Sequence, residues 1–127
     1  MPGFEHDGSS FNNPVELALH VVGGKWKMPI LWRLQDRTWR FNELRRSLKR
    51  VTDRMLARQL RELERDGLVT RTVHPVIPPH VDYAITDLGR SALPAIRALR
   101  AWGDAYRTAR TDPATGPGVQ AERDSGG

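Results

Sequence analysis

The stretch that most constrains the fold of this chain lies near its middle, at residues 53–66. At a helical period of about 100° per residue, Leu56, Leu60 and Leu63 share one face. The opposite face carries four arginines within roughly 60° of one another: Arg54, Arg58, Arg61 and Arg65. Thr52 is a suitable N-cap and Gly67 a suitable helix stop. The pattern predicts a helix that buries leucines and offers an arginine stripe, without interleaved acids, to solvent or to a polyanion.

The first helix is predicted to begin after Asn13, an N-cap residue, with Pro14 at its first position. Its expected core face consists of Val15, Ala18, Leu19 and Val22. The glycines at positions 23 and 24 end it. A second helix is predicted over about 25–35, a short strand over 39–41, and a third helix, capped by Asn42, over 43–48.

Two runs with period-2 alternation follow the arginine-rich helix. Val69, Arg71 and Val73 share one face of the first run, and Val81, Tyr83 and Ile85 share one face of the second. The segment 74–80 between them contains three prolines, which favour a hairpin loop. Thr86 is expected to cap a last helix that runs to about Ala109, with a kink at Pro94.

This order of elements is that of a winged helix-turn-helix domain, a mainly α fold with a small β-hairpin (α+β). We expect residues 1–12 to form a flexible N-terminal arm and residues 13–110 to form the DNA-binding and dimerisation domain. Residues 111–127 are predicted to be a disordered tail, because they lack the apolar residues that a core needs.

Charge and composition narrow the function. The net charge is +5, and residues 37–71 hold eleven basic and five acidic residues, so the excess is concentrated there. The chain has no cysteine, and its four histidines show no metal-type spacing, so we expect no metal and no cofactor. The sequence also lacks three patterns that are typical of enzymes: paired carboxylates, a nucleophile–base spacing and a phosphate-binding glycine loop. Their absence argues against an enzyme. Without a signal sequence or a membrane span, a cytoplasmic, nucleoid-associated location is expected.

A short helix, a turn and the arginine-rich helix predict contact with double-stranded DNA, because such proteins read bases with the start of the second helix. The residues expected to face base edges are Thr52, Asp53, Arg54, Ala57 and Arg58. Those expected to meet phosphates are Arg61, Arg65, Arg45, Arg46, Lys49 and Arg50. For the arginine stripe alone, a solvated surface is an equally good interpretation.

The tip of the predicted wing consists mainly of apolar residues, which is unusual for a basic protein that binds DNA. Pro79 and His80 are its candidate contacts, along the minor groove or the backbone. The alternative is a rigid turn packed on its own protein.

Several segments together resemble the HxlR-type family of winged helix-turn-helix regulators: residues 13–16, 21–27, 40–45, 55–69, 75–83 and 86–90. The resemblance implies a homodimer on a two-fold operator. Several members of that family sense electrophiles or oxidants through a cysteine just before the opening proline, where this chain has Asn13. His80 stands where an arginine is common in the family, which weakens the expectation of strong wing-tip contacts.

A second chain is expected to cover part of the last helix, whose apolar stripe is long for so small a domain. The predicted dimer residues lie in the first and last helices: Leu17, His20, Leu93, Ile96, Leu99, Trp102 and Tyr106. Cover within one chain is the alternative. Four tryptophans could help to line an apolar pocket for a small-molecule effector at the dimer seam, although core packing explains them better.

The favoured function is a sequence-specific, cysteine-independent transcriptional regulator. Repression is favoured over activation, because an operator-bound dimer blocks polymerase by occupying its site. Two alternatives stay open: a winged-helix module that binds an acidic protein, and a nonspecific architectural DNA binder.

Overall fold

The structure is a computed structural model and describes residues 2–111. Its elements are β1 (Phe4–His6), β2 (Ser9–Phe11), α1 (Pro14–Val22), α2 (Lys27–Leu34), β3 (Trp39–Arg40), α3 (Phe41–Leu48), α4 (Asp53–Arg65), β4 (Val69–His74), β5 (His80–Ile85), α5 (Asp87–Arg90) and α6 (Leu93–Thr111). Strands β3, β5 and β4 form an antiparallel sheet in that spatial order. The winged helix-turn-helix fold predicted from the sequence is confirmed.

The chain divides into two units, residues 1–93 and 94–127. The core of the first unit is built mainly from leucines of consecutive helices. Its most deeply buried side chains are Ile30, Leu31, Leu34, Leu44, Leu56, Leu60, Leu63 and Val69. The predicted leucine face of α4 is therefore the face that packs inward.

The caps of α4 explain its bounds. The Thr52 hydroxyl accepts a hydrogen bond from the Met55 amide at 3.1 Å. At the other end, Gly67 adopts a φ of +83°, and the Leu68 amide donates to the Leu63 carbonyl at 2.9 Å. This left-handed closure turns the chain directly into β4.

The predicted flexible arm, residues 1–12, contains a β-hairpin that the prediction did not include, formed by Phe4–His6 and Ser9–Phe11. Asp7 and Gly8 both have positive φ, as a two-residue hairpin turn of type I′ requires. The rings of Phe4 and Phe11 stack with centroids 5.8 Å apart. Thus an Asp-Gly pair between two aromatics was a turn signal that the sequence analysis missed.

Helix α1 has the predicted Asn13 cap, whose side chain accepts from the Glu16 amide at 3.0 Å. Its predicted core face is wrong. Val15 and Leu19 are 66% and 59% exposed, whereas Leu17, predicted to lie off that face, is half-buried. A helix with few polar residues offers two plausible faces, and only the packing of the chain selects between them.

Helix α3 begins two residues before the predicted start, at Phe41, and Asn42 is not its cap. The Arg40 amide instead donates to the Glu43 carboxylate at 2.9 Å. A glutamate at the third helical position can accept a hydrogen bond from the backbone amide of the N-cap residue, whichever residue type occupies that position.

The predicted last helix is in fact two helices. Thr86 caps only α5, through a 3.0 Å hydrogen bond from the Gly89 amide to its hydroxyl. Helix α6 then begins at Leu93, and Pro94 lies in its first turn, so no kink in a continuous helix is needed. Proline has no amide hydrogen for the preceding turn, which makes a helix start its natural position. The predicted tail lies outside the described residues, apart from Thr111.

Candidate nucleic-acid interface

Helices α3 and α4 form the helix-turn-helix, and the turn between them carries two cations. Lys49 and Arg50 both have a φ of +54°, a left-handed conformation that residues other than glycine seldom adopt. Both side chains are exposed. The turn therefore holds two positive charges at a site where the backbone would favour glycine.

The four arginines of α4 lie on its solvent-facing side, as the helical period predicts. Arg54, Arg58, Arg61 and Arg65 are all exposed. The leucines on the other side of the helix are at most 1% exposed. Contact of these arginines with DNA remains a prediction, and none of residues 2–111 covers their side chains.

The stripe is not free of acidic neighbours, which corrects the sequence analysis. Arg58 Nε lies 3.3 Å from a Glu62 oxygen, and Arg65 Nε lies 3.3 Å from an Asp66 oxygen. The hydrogen bond from Arg65 to Asp66 raises the pKa of the Arg65 guanidinium. These exposed pairs reduce the mutual repulsion of the arginines and hold two of their guanidinium groups along the helix surface.

Glu62 also joins α4 to α2, a contact that the sequence analysis missed. The Lys27 ammonium lies 2.7 Å from the other Glu62 oxygen, and its side chain is only 8% exposed. The hydrogen bond from Lys27 is the main cause that lowers the pKa of the Glu62 carboxyl below its ordinary value. The spacing of Arg58 and Glu62 was readable in the sequence, whereas burial of a lysine was not.

At the start of α4, two predicted DNA contacts bind each other. Arg45 Nε of α3 lies 3.0 Å from an Asp53 oxygen, and both side chains are largely exposed. Thr52 uses its hydroxyl as the helix cap. Arg46 is exposed beside them. The predicted base-reading end of α4 is thus tied to α3 by an ion pair that a DNA ligand would have to share or replace.

The hairpin faces α3 across an open cleft of about 510 Å³. This cleft brings the predicted wing residues Pro79 and His80 together with Arg46. It also includes Arg40, which the sequence analysis did not select. Arg40 pairs with Asp82 in the β3–β5 register. Its position beside the wing follows from this strand pairing, which the sequence pattern does not reveal.

A second cleft, of about 330 Å³, separates α4 from the sheet. Its lining includes Ala57 and Arg61 of α4 and Arg71 of β4. Arg71 was counted as part of the basic segment but not as a DNA contact. The alternation of β4 put Arg71 on one face with Val69 and Val73, and only the packing of α4 shows that Arg61 is its neighbour.

The strand ends next to the hairpin loop bring His74 and His80 together, contrary to the expectation of unrelated histidines. They are register partners, and their rings stack with centroids 4.6 Å apart. His74 Nε2 lies 2.9 Å from one Asp82 oxygen, and His80 Nε2 lies 4.0 Å from the other. A spacing of six residues is not a helical or a tight-turn metal motif, but antiparallel pairing turns it into direct adjacency.

The predicted dimer residues fall into two groups. In α1, Leu17 is half-buried, and the His20 ring packs edge-on against Phe11 with centroids 5.3 Å apart. In α6, Leu99, Trp102 and Tyr106 are 52%, 68% and 46% exposed. Leu93 and Ile96 are buried already in the single chain, at 8% and 3% exposure. Among the described residues these two are therefore already covered, whereas Leu99, Trp102 and Tyr106, which form the outer stripe of α6, are exposed.

Comparison with known proteins agrees with this architecture. The sequence model of the HxlR-like helix-turn-helix family matches residues 21–111. The chain belongs to the HxlR-like helix-turn-helix family. The HTH-type transcriptional regulator YdeP of Bacillus subtilis (strain 168) is 43% identical over 106 residues, which cover 83% of each chain.

Two solved structures are similar to this chain. The HTH-type transcriptional regulator ytcD is 42% identical with a TM-score of 0.71, over 76% of this chain and 98% of that one. The redox regulator HypR in its oxidized form is 45% identical with a TM-score of 0.70, over 73% and 96% of the two chains. As a member of this family, the protein is a DNA-binding transcriptional regulator.

Within residues 2–111, no helix combines the length and the apolar character that crossing a membrane requires.

Proposed function

We propose that this HxlR-like regulator is a homodimeric repressor that recognises a two-fold operator in duplex DNA. The observation that carries the proposal is the exposed arginine face of α4, the second helix of the helix-turn-helix. Its leucine face is fully buried, so α4 has a fixed orientation and presents the same side chains to every ligand. Arginine can donate two hydrogen bonds to guanine O6 and N7 in the major groove. Such contacts distinguish one base pair from another, whereas contacts with phosphates do not.

We propose the following division of labour on DNA. Thr52, Asp53, Arg54, Ala57 and Arg58 lie nearest the base edges. Phosphates meet Arg61, Arg65, Arg45, Arg46, Lys49 and Arg50, together with the wing residues Pro79 and His80. To these we add Arg40 and Arg71, because they line the two clefts beside α3 and α4.

Dimer formation is proposed to use the outer stripe of α6. Leu99, Trp102 and Tyr106 form an exposed apolar surface, and the rings of Trp102 and Tyr106 already touch, with centroids 5.4 Å apart. Large exposed apolar side chains in a row are typical of a surface that another chain covers. The exposed Val15 and Leu19 of α1 are further candidates, in place of His20, which contacts Phe11.

The regulator is proposed to work without cysteine chemistry, because its 127 residues contain no cysteine. Its similarity to a redox regulator concerns the scaffold and not a thiol. We propose a non-covalent small molecule as the input, because the chain has no thiol that could react with an electrophile or an oxidant. We assign the protein no catalytic activity and place it in the cytoplasm on nucleoid DNA.

The deciding experiment is selection of random duplexes by the purified full chain, followed by affinity measurement at physiological salt. A two-fold symmetric motif that binds at least about a thousandfold more tightly than scrambled duplex supports the proposal. Weak binding to every duplex with a steep salt dependence would instead indicate an architectural DNA binder. Failure to bind any duplex, with retention on an acidic protein surface, would indicate an interaction module.

A further inference from the structure

The neck of the wing brings together three side chains, and the proposed contact with DNA uses only one of them, His80. His74 is the last residue of β4, and His80, its register partner, is the first residue of β5. Asp82 follows two residues later on β5, so it projects from the same face of the sheet as His80. The pairing therefore places two imidazoles and one carboxylate side by side where the hairpin loop leaves the sheet.

The distances within this group are those of a site that needs little rearrangement. One ligand atom from each side chain can be chosen so that all three lie within 4.8 Å of one another. His74 Nε2 is already 2.9 Å from Asp82, and the side chains are between 24% and 40% exposed. Ligands about 2.0–2.1 Å from a tetrahedral zinc ion are separated by roughly 3.3 Å. Rotation of partly exposed rings by small angles covers the difference.

Two imidazole nitrogens with one carboxylate oxygen select a particular class of ion. Imidazole is a ligand for Zn²⁺, Co²⁺, Ni²⁺ and Cu²⁺, while Mg²⁺ and Ca²⁺ prefer oxygen donors only. Three protein ligands leave a coordination position for water. The positive charge of Arg40 works against cation binding, because Arg40 on β3 is the register partner of Asp82 on β5. An exposed hydrogen-bonded His–Asp cluster without metal is the competing interpretation.

We propose that His74, His80 and Asp82 bind one divalent transition-metal ion per chain and that this ion strengthens contact of the wing with DNA. The part concerning DNA rests on the proposed function. The loop 75–79 has no charged side chain, so the ion would add positive charge beside an uncharged loop. By linking His74 to His80 it would also close the loop and restrict its motion.

The first test measures metal binding without DNA, on the untagged full chain. Co²⁺ is titrated while its visible absorption is recorded, and Zn²⁺ is then added as a competitor. We expect saturation at one ion per chain and displacement by Zn²⁺. The double variant His74→Gln/His80→Gln should bind at least about a hundredfold more weakly, and Asp82→Asn should bind about tenfold more weakly.

The control is His6→Ala, which removes a histidine from β1 and should bind like the unmodified chain. Thermal melting without metal shows whether each variant is folded, and the melting temperature of a folded variant should rise with Co²⁺ only when the site is intact. Absence of saturable Co²⁺ binding in the unmodified chain, or equal binding by the folded double variant, overturns the metal site.

The second test compares duplex affinity with and without Zn²⁺. In the unmodified chain we expect about three- to tenfold tighter binding and a slope of log affinity against log salt that is steeper by about one. The double variant should show neither change. Metal binding with unchanged duplex affinity overturns the coupling to DNA. If the chain binds no duplex in either condition, the proposed function fails, while the first test still decides the metal site.

Discussion

Arg58 combines an exposed guanidinium with an anchoring neighbour. It lies in the middle of the arginine face, and its Nε is 3.3 Å from Glu62, which is itself held by Lys27. This chain of contacts directs the guanidinium without burying it. Such an arrangement suits base recognition, because less side-chain entropy is lost when the ligand binds.

We expect Arg58→Ala to weaken binding to the selected operator by about 1–3 kcal/mol and to relax base preference at one position in each half-site. Folding should be unaffected, since the side chain is exposed. Competition assays with single-base operator variants measure both effects. Arg97→Ala on α6, which removes the same charge from a residue outside the candidate surface, is the matched control. Unchanged specificity in the Arg58 variant would exclude this arginine from base recognition.

Glu62 is expected to matter for stability rather than for DNA contact. Without its carboxylate, the nearly buried Lys27 ammonium loses its partner, so Glu62→Gln should lower the free energy of unfolding by about 1–3 kcal/mol. Glu64→Gln, on the exposed side of the same helix, should change it by less than about 0.5 kcal/mol. Urea unfolding at neutral pH measures both, and equal effects would mean that the Lys27 contact is unimportant.

The same residue sets a pH dependence. Because the pKa of Glu62 is lowered in the folded chain, its contribution is complete above 4.5, the ordinary value, and is lost as the pH falls through the lower folded pKa. The stability difference between the unmodified chain and Glu62→Gln should therefore shrink in that acidic range. Urea unfolding repeated at a series of acidic pH values checks the sign.

At the scale of elements, the contact between α5 and the sheet depends on one glycine. Gly89 is buried, and a β-carbon there would overlap the Leu68 carbonyl oxygen and approach an Ile85 side-chain carbon to 2.7 Å. The Thr86 hydroxyl adds to this contact by donating to the Gly67 carbonyl at 2.7 Å. Helix α5 thus contacts the end of α4, the start of β4 and the end of β5. These contacts fix the position from which the two strands of the wing extend.

Gly89→Ala should destabilise the fold by about 2 kcal/mol or more, although alanine is the better helix former. The obstacle is partly backbone, so rotation of a side chain cannot relieve it. Leu88→Ala, at the exposed neighbouring position, should have a much smaller effect. Thermal or urea unfolding of both variants provides the comparison, and a neutral Gly89→Ala would show that α5 can move away from Leu68.

At the scale of the whole molecule, the exposed stripe of α6 is the proposed interface between the two chains of the dimer. A single recognition helix reads one half-site, and two-fold symmetry doubles the readout when a dimer holds both helices in register. The stripe is both apolar and accessible at Leu99, Trp102 and Tyr106. Assembly and operator affinity should therefore depend on the same residues.

We expect Trp102→Glu to raise the dimer dissociation constant at least about a hundredfold, because aromatic anchors dominate such interfaces. Operator affinity should fall with it, while the unfolding of the monomer stays cooperative. Sedimentation at several protein concentrations measures the assembly. Ala101→Glu adds the same charge at an exposed position about 100° around the helix from Trp102 and should leave the dimer intact. A dimeric Trp102→Glu protein would place the interface elsewhere.

The sequence by itself determined the order of the elements from α1 to β5, the winged helix-turn-helix fold and the orientation of α4. These depend on local features: a cap at Thr52, a left-handed stop at Gly67, leucines at helical spacing and strands with alternating side chains. Each is decided by the conformation of neighbouring residues. The arginine face followed for the same reason, because it lies opposite the leucines of its own helix.

Only the tertiary structure decided which face of α1 is outward, where the last helix divides, and how charges pair across elements. Burial of Lys27 against Glu62 and adjacency of Arg40 to Asp82 join residues far apart in the chain. The adjacency of His74 and His80 follows from the β4–β5 register, which the sequence pattern leaves open. Local preferences act within a few residues, whereas packing and strand register are properties of the whole fold.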